Sequence, residues 1–180
     1  MWPPRQPVVG VSIRGRPERH FHAKLEPALR CFDFQGHVRD AIAEPIRLGS
    51  SSSSAVAVID YFKGRGKVAE RMLAVAPREI ALPAIAAYEV WLGVLGSRNA
   101  KRREAQYEQF LSVIDVIAFD SAISRRAAEL RIALERRGEA IGPLDTVTAA
   151  TALAWGATLV TRNAGEFGRI AGLKMVNWHD

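Results

Sequence analysis

The sequence predicts an α/β fold in which helices cover both faces of a parallel sheet. Helical and strand-like segments alternate from Ala55 onward, and the strand-like segments are rich in Val, Ile and Ala without regular polar alternation. Strands that are buried on both faces have this composition, and their separation by helices favours parallel pairing. A length of 180 residues, 48% of them hydrophobic, is typical of one globular core.

The predicted strands are short apolar runs bounded by turn residues. They cover Ala55–Ile59, Glu79–Pro83, Val113–Phe119, Thr158–Thr161 and Leu173–Val176. The predicted helices have apolar residues at helical spacing and end near capping residues. They cover Gly66–Ala76, Ile85–Leu95, Lys101–Leu111, Ser121–Arg137 and Pro143–Trp155. Gly138 and Gly156 directly follow the last two helices, where a left-handed cap favours glycine.

Residues 1–50 differ from the rest and are predicted to be a poorly ordered extension of a domain that covers residues 51–180. They contain six prolines and no sustained hydrophobic period, and the serines of residues 50–54 are typical of a linker. His20, His22 and His37 could form a metal site with Cys31. Their spacing matches no familiar zinc pattern, so surface histidines are the favoured interpretation.

Composition limits the classes of protein. Cys31 is the only cysteine, which excludes an intrachain disulfide and favours a reducing cytoplasm. We expect neither a membrane helix nor a secretory signal, since no charge-free apolar run is long enough and prolines and arginines interrupt the first residues. The net charge of +6 favours acidic partners, above all nucleic acid. The segment "FKGRGK" lacks the spacing of a phosphate-binding loop, which argues against a nucleotide-binding protein.

Three polar residues lie in apolar helices or at the end of a strand, where a polar side chain needs a structural or functional reason. Glu89 is the only charge between Pro83 and Gly96, so it requires a cation, a proton or a hydrogen-bond partner; a structural pair with arginine and a partly exposed helix edge stay open. Asp145 opens an apolar helix, where it is either a capping residue or a functional acid. Asn163 follows a strand at the end where ligands bind in parallel sheets, although turn chemistry also selects asparagine.

A basic run, Lys101, Arg102 and Arg103, is a weak candidate for contacts with RNA phosphates. Arginines of the following long helix add to this positive surface. Pairing of these cations with glutamates at helical spacing is the alternative.

Taken together, these segments resemble the PIN-domain family, and within it the toxins of the VapC and FitB type. The resemblance rests on "VIDYFKG", "LPAIAAYEVWLGV" with Glu89, "DTVTAATALAWGATLVTRN" with Asp145 and Asn163, "EFGRIAGLKMVNW", and the terminal "NWHD". Their order and spacing cover residues 54–180.

The resemblance implies a three-layer α/β/α sandwich with a central parallel sheet, and a magnesium- or manganese-dependent ribonuclease toxin. Glu89, Asp145 and Asn163 take the places of family catalytic residues, and Glu89 and Asp145 those of metal ligands. The implied partners are RNA, a cognate antitoxin and a second copy of the chain. Hydrolysis of an RNA phosphodiester bond is the implied reaction, and a hard cation held by few carboxylates suits it.

The first family aspartate is absent. Its place, six residues before Asp60, holds Ser54, or Ser52 if Ala57 and Val58 are an insertion, and Glu166 is a candidate to compensate. We therefore expect weak metal binding and reduced activity, and a catalytically silent PIN module that binds antitoxin or RNA is the alternative. The unmatched first fifty residues and the serine run favour the hypothesis that the start site or reading frame changed just before the family's own beginning.

Overall fold

The structure is a computed structural model that describes Val8, Val9 and residues 55–180. Helices and strands are numbered here in chain order within those residues. The strands are β1 (Val8–Val9), β2 (Ile80–Pro83), β3 (Asp115–Ile117), β4 (Thr158–Val160) and β5 (Lys174–Val176). The helices are α1 (Val56–Phe62), α2 (Val68–Leu73), α3 (Ala84–Leu95), α4 (Ala100–Leu111), α5 (Ser121–Arg136), α6 (Pro143–Trp155) and α7 (Ala164–Phe167).

The strands form a parallel sheet in the order β3-β2-β1-β4-β5 within the described residues. Two hydrophobic clusters cover its faces. Ile80 and Leu82 belong to one cluster and Ala81 to the other, because successive side chains of a strand point to opposite faces. The first cluster includes residues of α1 to α4, and the second includes residues of α5 and α6. The predicted three-layer α/β/α sandwich is thus confirmed.

The predicted strand at Ala55–Ile59 is wrong, because this segment opens helix α1. Ala57, Val58 and Tyr61 are buried, and the spacing of one and four residues places them on one face of a helix. A short run of Ala, Val and Ile has no period long enough to separate a buried strand from a buried helix.

The strand at the centre of the sheet is instead Val8–Val9, which pairs with both β2 and β4. It lies within the segment that was predicted to be an irregular extension. The boundary at residue 50 and the poor order of the first fifty residues stay predictions, since residues 10–54 lie outside the described ranges.

The remaining predicted elements are present, most of them with ends shifted by one or two residues and α2 and β3 shorter than predicted. Gly138 and Gly156 have φ angles of 68° and 61°, as expected of glycines that end helices. No helix in the described part of the chain is both long and apolar enough to span a bilayer.

The C-terminal residues pack against α2. Trp178 is buried in the first hydrophobic cluster, and the backbone N–H of Lys67 donates to the carbonyl of His179 at 3.1 Å. Arg71 Nη1 donates to the carbonyl of Asn177 at 2.7 Å. Gly66 has a φ of 58°, and a Cβ there would fall on the His179 carbonyl. The close approach of these two backbones therefore requires glycine.

Candidate functional site

The strand order predicts a crevice at the carboxyl end of β1. β2 and β3 lie on one side of this strand and β4 and β5 on the other, so the direction of strand addition reverses at β1. In open parallel sheets, ligands bind outside the carboxyl ends of the strands where this reversal occurs. The carboxyl ends of β2, β1 and β4 therefore define the edge to search for functional groups.

Glu89 lies on α3, which begins directly after the carboxyl end of β2. Glu89 is only 6% exposed, and Ala86 and Val90 on the same helix are also buried. The interpretation of Glu89 as part of an exposed helix edge is therefore wrong. A carboxylate at this depth needs compensation from a partner or a bound cation.

Asp145 lies in the first turn of α6 and is 5% exposed. The helix begins after Gly142 with Pro143 in its first turn, a position that suits proline because its missing N–H would have no helical partner there. A Cβ at residue 142 would lie 3.1 Å from Oδ2 of Asp145. The glycine thus leaves room for the carboxylate at the start of the helix, where free N–H groups favour a negative charge.

The helices that carry these two acids contact each other. α3 packs on one face of the sheet and α6 on the other, and α6 begins at the carboxyl edge because it runs back to the start of β4. Two helices on opposite faces meet where the strands end. The arrangement brings the helix carrying Glu89 and the start of α6 to the predicted edge.

Asn163 follows β4 at the same edge and stabilises the loop there. Its backbone N–H donates to Oγ1 of Thr161 at 3.0 Å, and its Oδ1 accepts from the N–H of Glu166 at 3.3 Å, which caps α7. The turn role considered for Asn163 is therefore present. The same bonds hold Asn163 and Glu166 next to each other beside the crevice.

An ion pair at this edge was not predicted. Nε of Arg162 lies 3.3 Å from Oδ2 of Asp60, which is 2% exposed on α1, whereas the Arg162 side chain is 45% exposed. The separation is that of an ion pair, but Oδ2 makes no hydrogen bond, so the N–H does not point at it. Asp60 interrupts the apolar run Val58 to Phe62, which is the same signal that marks Glu89.

The donor set at this edge suits a hard divalent cation. Glu89 and Asp145 offer carboxylate oxygens, which Mg²⁺ and Mn²⁺ prefer, and Mg²⁺ retains several waters. Thr148, one turn after Asp145, has a fully buried Oγ1 without a hydrogen-bond partner among the described residues. Within residues 8–9 and 55–180, no three His, Cys, Asp or Glu residues are grouped to hold a metal. A cation here would thus have at most two carboxylates from the described chain.

The predicted basic run lies at the start of α4, with Lys101 and Arg102 exposed and Arg103 half-buried. Burial, followed by the positive charge of Arg65 and of Arg103, lowers the pKa of Lys63, although Asp60 opposes the shift. Arg103 therefore lies near the end of α1, in a region of excess positive charge.

Pairing at helical spacing, the alternative considered for the cations, occurs on α5. Arg125 lies 3.0 Å from Glu129, and Arg131 pairs with Glu135. These exposed pairs contribute little to binding or stability. Ser54 and the group His20, Cys31, His22 and His37 lie outside the described residues.

Comparison with known proteins identifies the family of this chain. A profile of the PIN domain matches residues 54–173, and the chain belongs to the PIN-domain family.

Relatives within the family agree with the predicted resemblance to VapC toxins. The chain is 37% identical over 99 residues to Ribonuclease VapC2 of Rickettsia felis, a match that covers 55% of this chain and 74% of that protein. It is 32% identical over 100 residues to the tRNA(fMet)-specific endonuclease VapC of Shigella flexneri, covering 56% of this chain and 76% of the relative.

A solved structure supports the fold. VapBC2 of Rickettsia felis, bound to a DNA fragment from its promoter, matches with a TM-score of 0.64 and 31% identity, covering 69% of this chain and 96% of that one. The predicted PIN-like fold is confirmed.

Proposed function

We propose that this chain is a metal-dependent endoribonuclease toxin that an antitoxin protein neutralises. One observation carries the proposal: Glu89 and Asp145, both buried, lie on two contacting helices that meet at the carboxyl edge of the sheet. Relatives named ribonuclease and tRNA endonuclease, and a similar structure that is a toxin–antitoxin complex, support the same class.

Each residue has a defined task in the proposed mechanism. Glu89 and Asp145 would hold Mg²⁺ or Mn²⁺ through carboxylate oxygens, and their burial keeps competing water away. A cation held there would supply Lewis-acid polarisation of the scissile phosphate and a more nucleophilic water. Asn163 orders the loop after β4 through its hydrogen bonds, and its carboxamide would lie beside the scissile phosphate. Glu166, held next to it, adds negative charge near the cation.

Lys101, Arg102 and Arg103 would contribute RNA contacts from the start of α4. Arg103 stands near Lys63 and Arg65, so the three form one positive region. Its attraction for RNA should fall steeply with added salt, because phosphate contacts release counterions.

A specific observation favours a second candidate, a silent PIN module that binds RNA or antitoxin without cutting. Ser54 replaces the first family acid, and no group of three metal-binding side chains is present in the described residues. A serine hydroxyl is neutral and binds Mg²⁺ more weakly than a carboxylate. The two candidates differ in a single measurable property, which is cleavage.

Cleavage of a folded transfer RNA with and without Mg²⁺ separates them. Glu89→Gln and Asp145→Asn should abolish cleavage by the parent chain, whereas Glu129→Gln and Asp115→Asn, the same changes at exposed positions, should leave it intact. Cleavage that appears only after Ser54→Asp identifies the silent module. Equal activity in both amide variants would remove the proposed site.

The antitoxin is proposed to cover the crevice, and a second copy to pair with this chain. A protein encoded by the adjacent reading frame should co-purify with this chain and suppress cleavage at an equimolar ratio. Suppression that persists when that protein is replaced by serum albumin would contradict a specific complex.

A further inference from the structure

Arg162 and Asp60 form an asymmetric pair. The Asp60 side chain is buried at 2% exposure, whereas the Arg162 side chain is 45% exposed. A buried carboxylate is strongly destabilising unless a cation or hydrogen bonds compensate it. Asp60 therefore needs Arg162 as its counter-charge. The Arg162 side chain, in contrast, is also accessible to solvent and to a further ligand.

The guanidinium of Arg162 uses only part of its capacity to donate hydrogen bonds within the described residues. Its closest approach to Asp60 is through Nε, and its two Nη groups donate no hydrogen bond within the described part of the chain. Arg137 provides a contrast, because its Nε binds Glu139 at 2.7 Å while its Nη2 donates to the carbonyl of Arg169. The side chains of both arginines have nearly the same exposure, 45% and 47%. Of these two arginines, Arg162 is the one that keeps both Nη groups available to an incoming acceptor.

The position of Arg162 selects that acceptor. It stands between Thr161 and Asn163 at the carboxyl end of β4, beside the strand where the connections reverse. A planar fork of N–H donors fits the oxygens of a phosphate better than any other common group on RNA. Lys63 interacts electrostatically with Asp60, and also with Arg65 and Arg103, so further positive charge lies near this carboxylate.

We propose that Arg162 binds a backbone phosphate of RNA through its Nη groups, and that Asp60 is the positioning residue that fixes the guanidinium. The inference rests on the proposed ribonuclease function, because it takes RNA as the ligand. It assigns a substrate contact to a residue next to Asn163 and gives the buried Asp60 side chain a positioning role.

The test compares two substitutions that leave the net charge unchanged. Asp60→Asn with Arg162→Gln removes the inferred contact, and it avoids leaving a buried carboxylate without its cation. Arg137→Gln with Glu139→Gln removes an ion pair of similar exposure elsewhere. Both are made in the Glu89→Gln background, so that RNA stays intact during the measurement. Circular dichroism checks that each variant is folded.

Binding of a fluorescein-labelled 12-nucleotide single-stranded RNA is followed by anisotropy over a series of KCl concentrations. We expect the first double variant to bind about tenfold more weakly, the loss of a charge-assisted hydrogen bond. The slope of log affinity against log salt should become shallower by about 0.7, the value for one phosphate contact with a single strand. The Arg137 and Glu139 control should change neither quantity.

Two single variants separate contact from positioning. Arg162→Lys keeps the charge but lacks the fork, so affinity should fall while the salt slope is retained. Asp60→Asn keeps the arginine but removes the charge that positions it. RNA affinity should therefore fall, and the salt slope should not change. A merely structural role for Asp60 would lower the melting temperature without changing the affinity of the folded protein.

Unchanged affinity and slope in the Asp60 and Arg162 double variant would overturn the inference, and so would an equal loss in the control. If the parent chain binds RNA through Arg162 but does not cleave it, the proposed catalysis is wrong and the phosphate contact is still supported. A parent chain that fails to bind RNA would overturn both.

Discussion

Arg71 of α2 bonds to residues 177–180, where its Nη1 donates to the Asn177 carbonyl at 2.7 Å and its Nη2 donates to the main-chain oxygen of Asp180. Buried Trp178 lies between these two acceptors in the sequence. A single cation thus ties the segment that follows β5 to helix α2.

Arg71→Ala should lower the free energy of unfolding by about 1–2 kcal/mol, the loss of hydrogen bonds from a charged donor. Urea unfolding followed by Trp fluorescence measures the change, and Trp178 reports on this segment directly. Arg126→Ala, an exposed arginine of α5, is the control and should change stability by less than about 0.5 kcal/mol. Equal effects of the two substitutions would contradict the proposed tie.

Gly66→Ala should destabilise the chain far more than Gly172→Ala. Both glycines have positive φ angles, 58° and 79°, so both substitutions incur a left-handed conformation that costs about 1–2 kcal/mol. Only the methyl group at residue 66 meets backbone, the carbonyl of His179, whereas residue 172 has nothing within 4 Å. Thermal unfolding of the two variants side by side measures the difference, and equal melting temperatures would contradict the close approach.

Ser54→Asp should strengthen binding of Mg²⁺ by supplying a third carboxylate. We expect a gain of about tenfold, because ligand charge dominates the affinity of hard cations. Isothermal titration of Mg²⁺ measures it, with Ser112→Asp, at an exposed position before β3, as the control for added negative charge. A gain that is equal at positions 112 and 54 would show that general charge, not a ligand position, is responsible.

Burial raises the pKa of Tyr61 to about 12 and also raises the pKa of Tyr107, so alkaline conditions should unfold the chain. The folded state holds the Tyr61 proton more tightly than the unfolded state, whose pKa is near 10. This stability is therefore complete below pH 10 and is lost as the pH rises through 12, at about 1.4 kcal/mol per pH unit.

The check is urea unfolding at a series of alkaline pH values. Tyr61→Phe should make the decline between pH 10 and 12 shallower. Tyr88→Phe, at a half-exposed position of α3, should leave the slope as it is. A decline that is unaffected by Tyr61→Phe would mean that another group controls alkaline unfolding.

An apolar stripe on α3 should mediate association with a second copy or with the antitoxin. Tyr88, Leu92 and Leu95 are each about half exposed and recur at helical spacing, so they share one face. Leu92→Glu should convert a dimer of the isolated chain into a monomer, as measured by light scattering after gel filtration. Ile132→Glu, an exposed apolar residue of α5, is the control.

Elements with strong boundary signals could be predicted from the sequence. Pro143 and Gly156 enclose α6 because proline suits a first turn and glycine a left-handed cap, and both do so in the structure. The segment Ala55–Ile59 could not be assigned correctly, since five small apolar residues satisfy both helix and strand. Val8–Val9 was missed because two residues carry no period, and only pairing with β2 and β4 makes them a strand.

In the candidate site, too, some features could be predicted from the sequence and others could not. Glu89 stands out because one charge in an apolar helix needs compensation, and its burial was foreseeable on that ground. Asp60 carries the same signal within α1 but was assigned only a place in a motif. Its pairing with Arg162 could not be foreseen, because the two residues are separated by about a hundred positions and meet only through the sheet.

The register of β1 has a consequence for biosynthesis. Val8 pairs with Ile80 on one side and Thr158 on the other, so β1 is synthesised before β2 and long before its second neighbour, β4. Until β4 is synthesised, one edge of β1 stays open to pairing with another nascent chain. Chains arrested before residue 158 should therefore depend on chaperones, whereas chains extended beyond β4 should close the sheet by themselves.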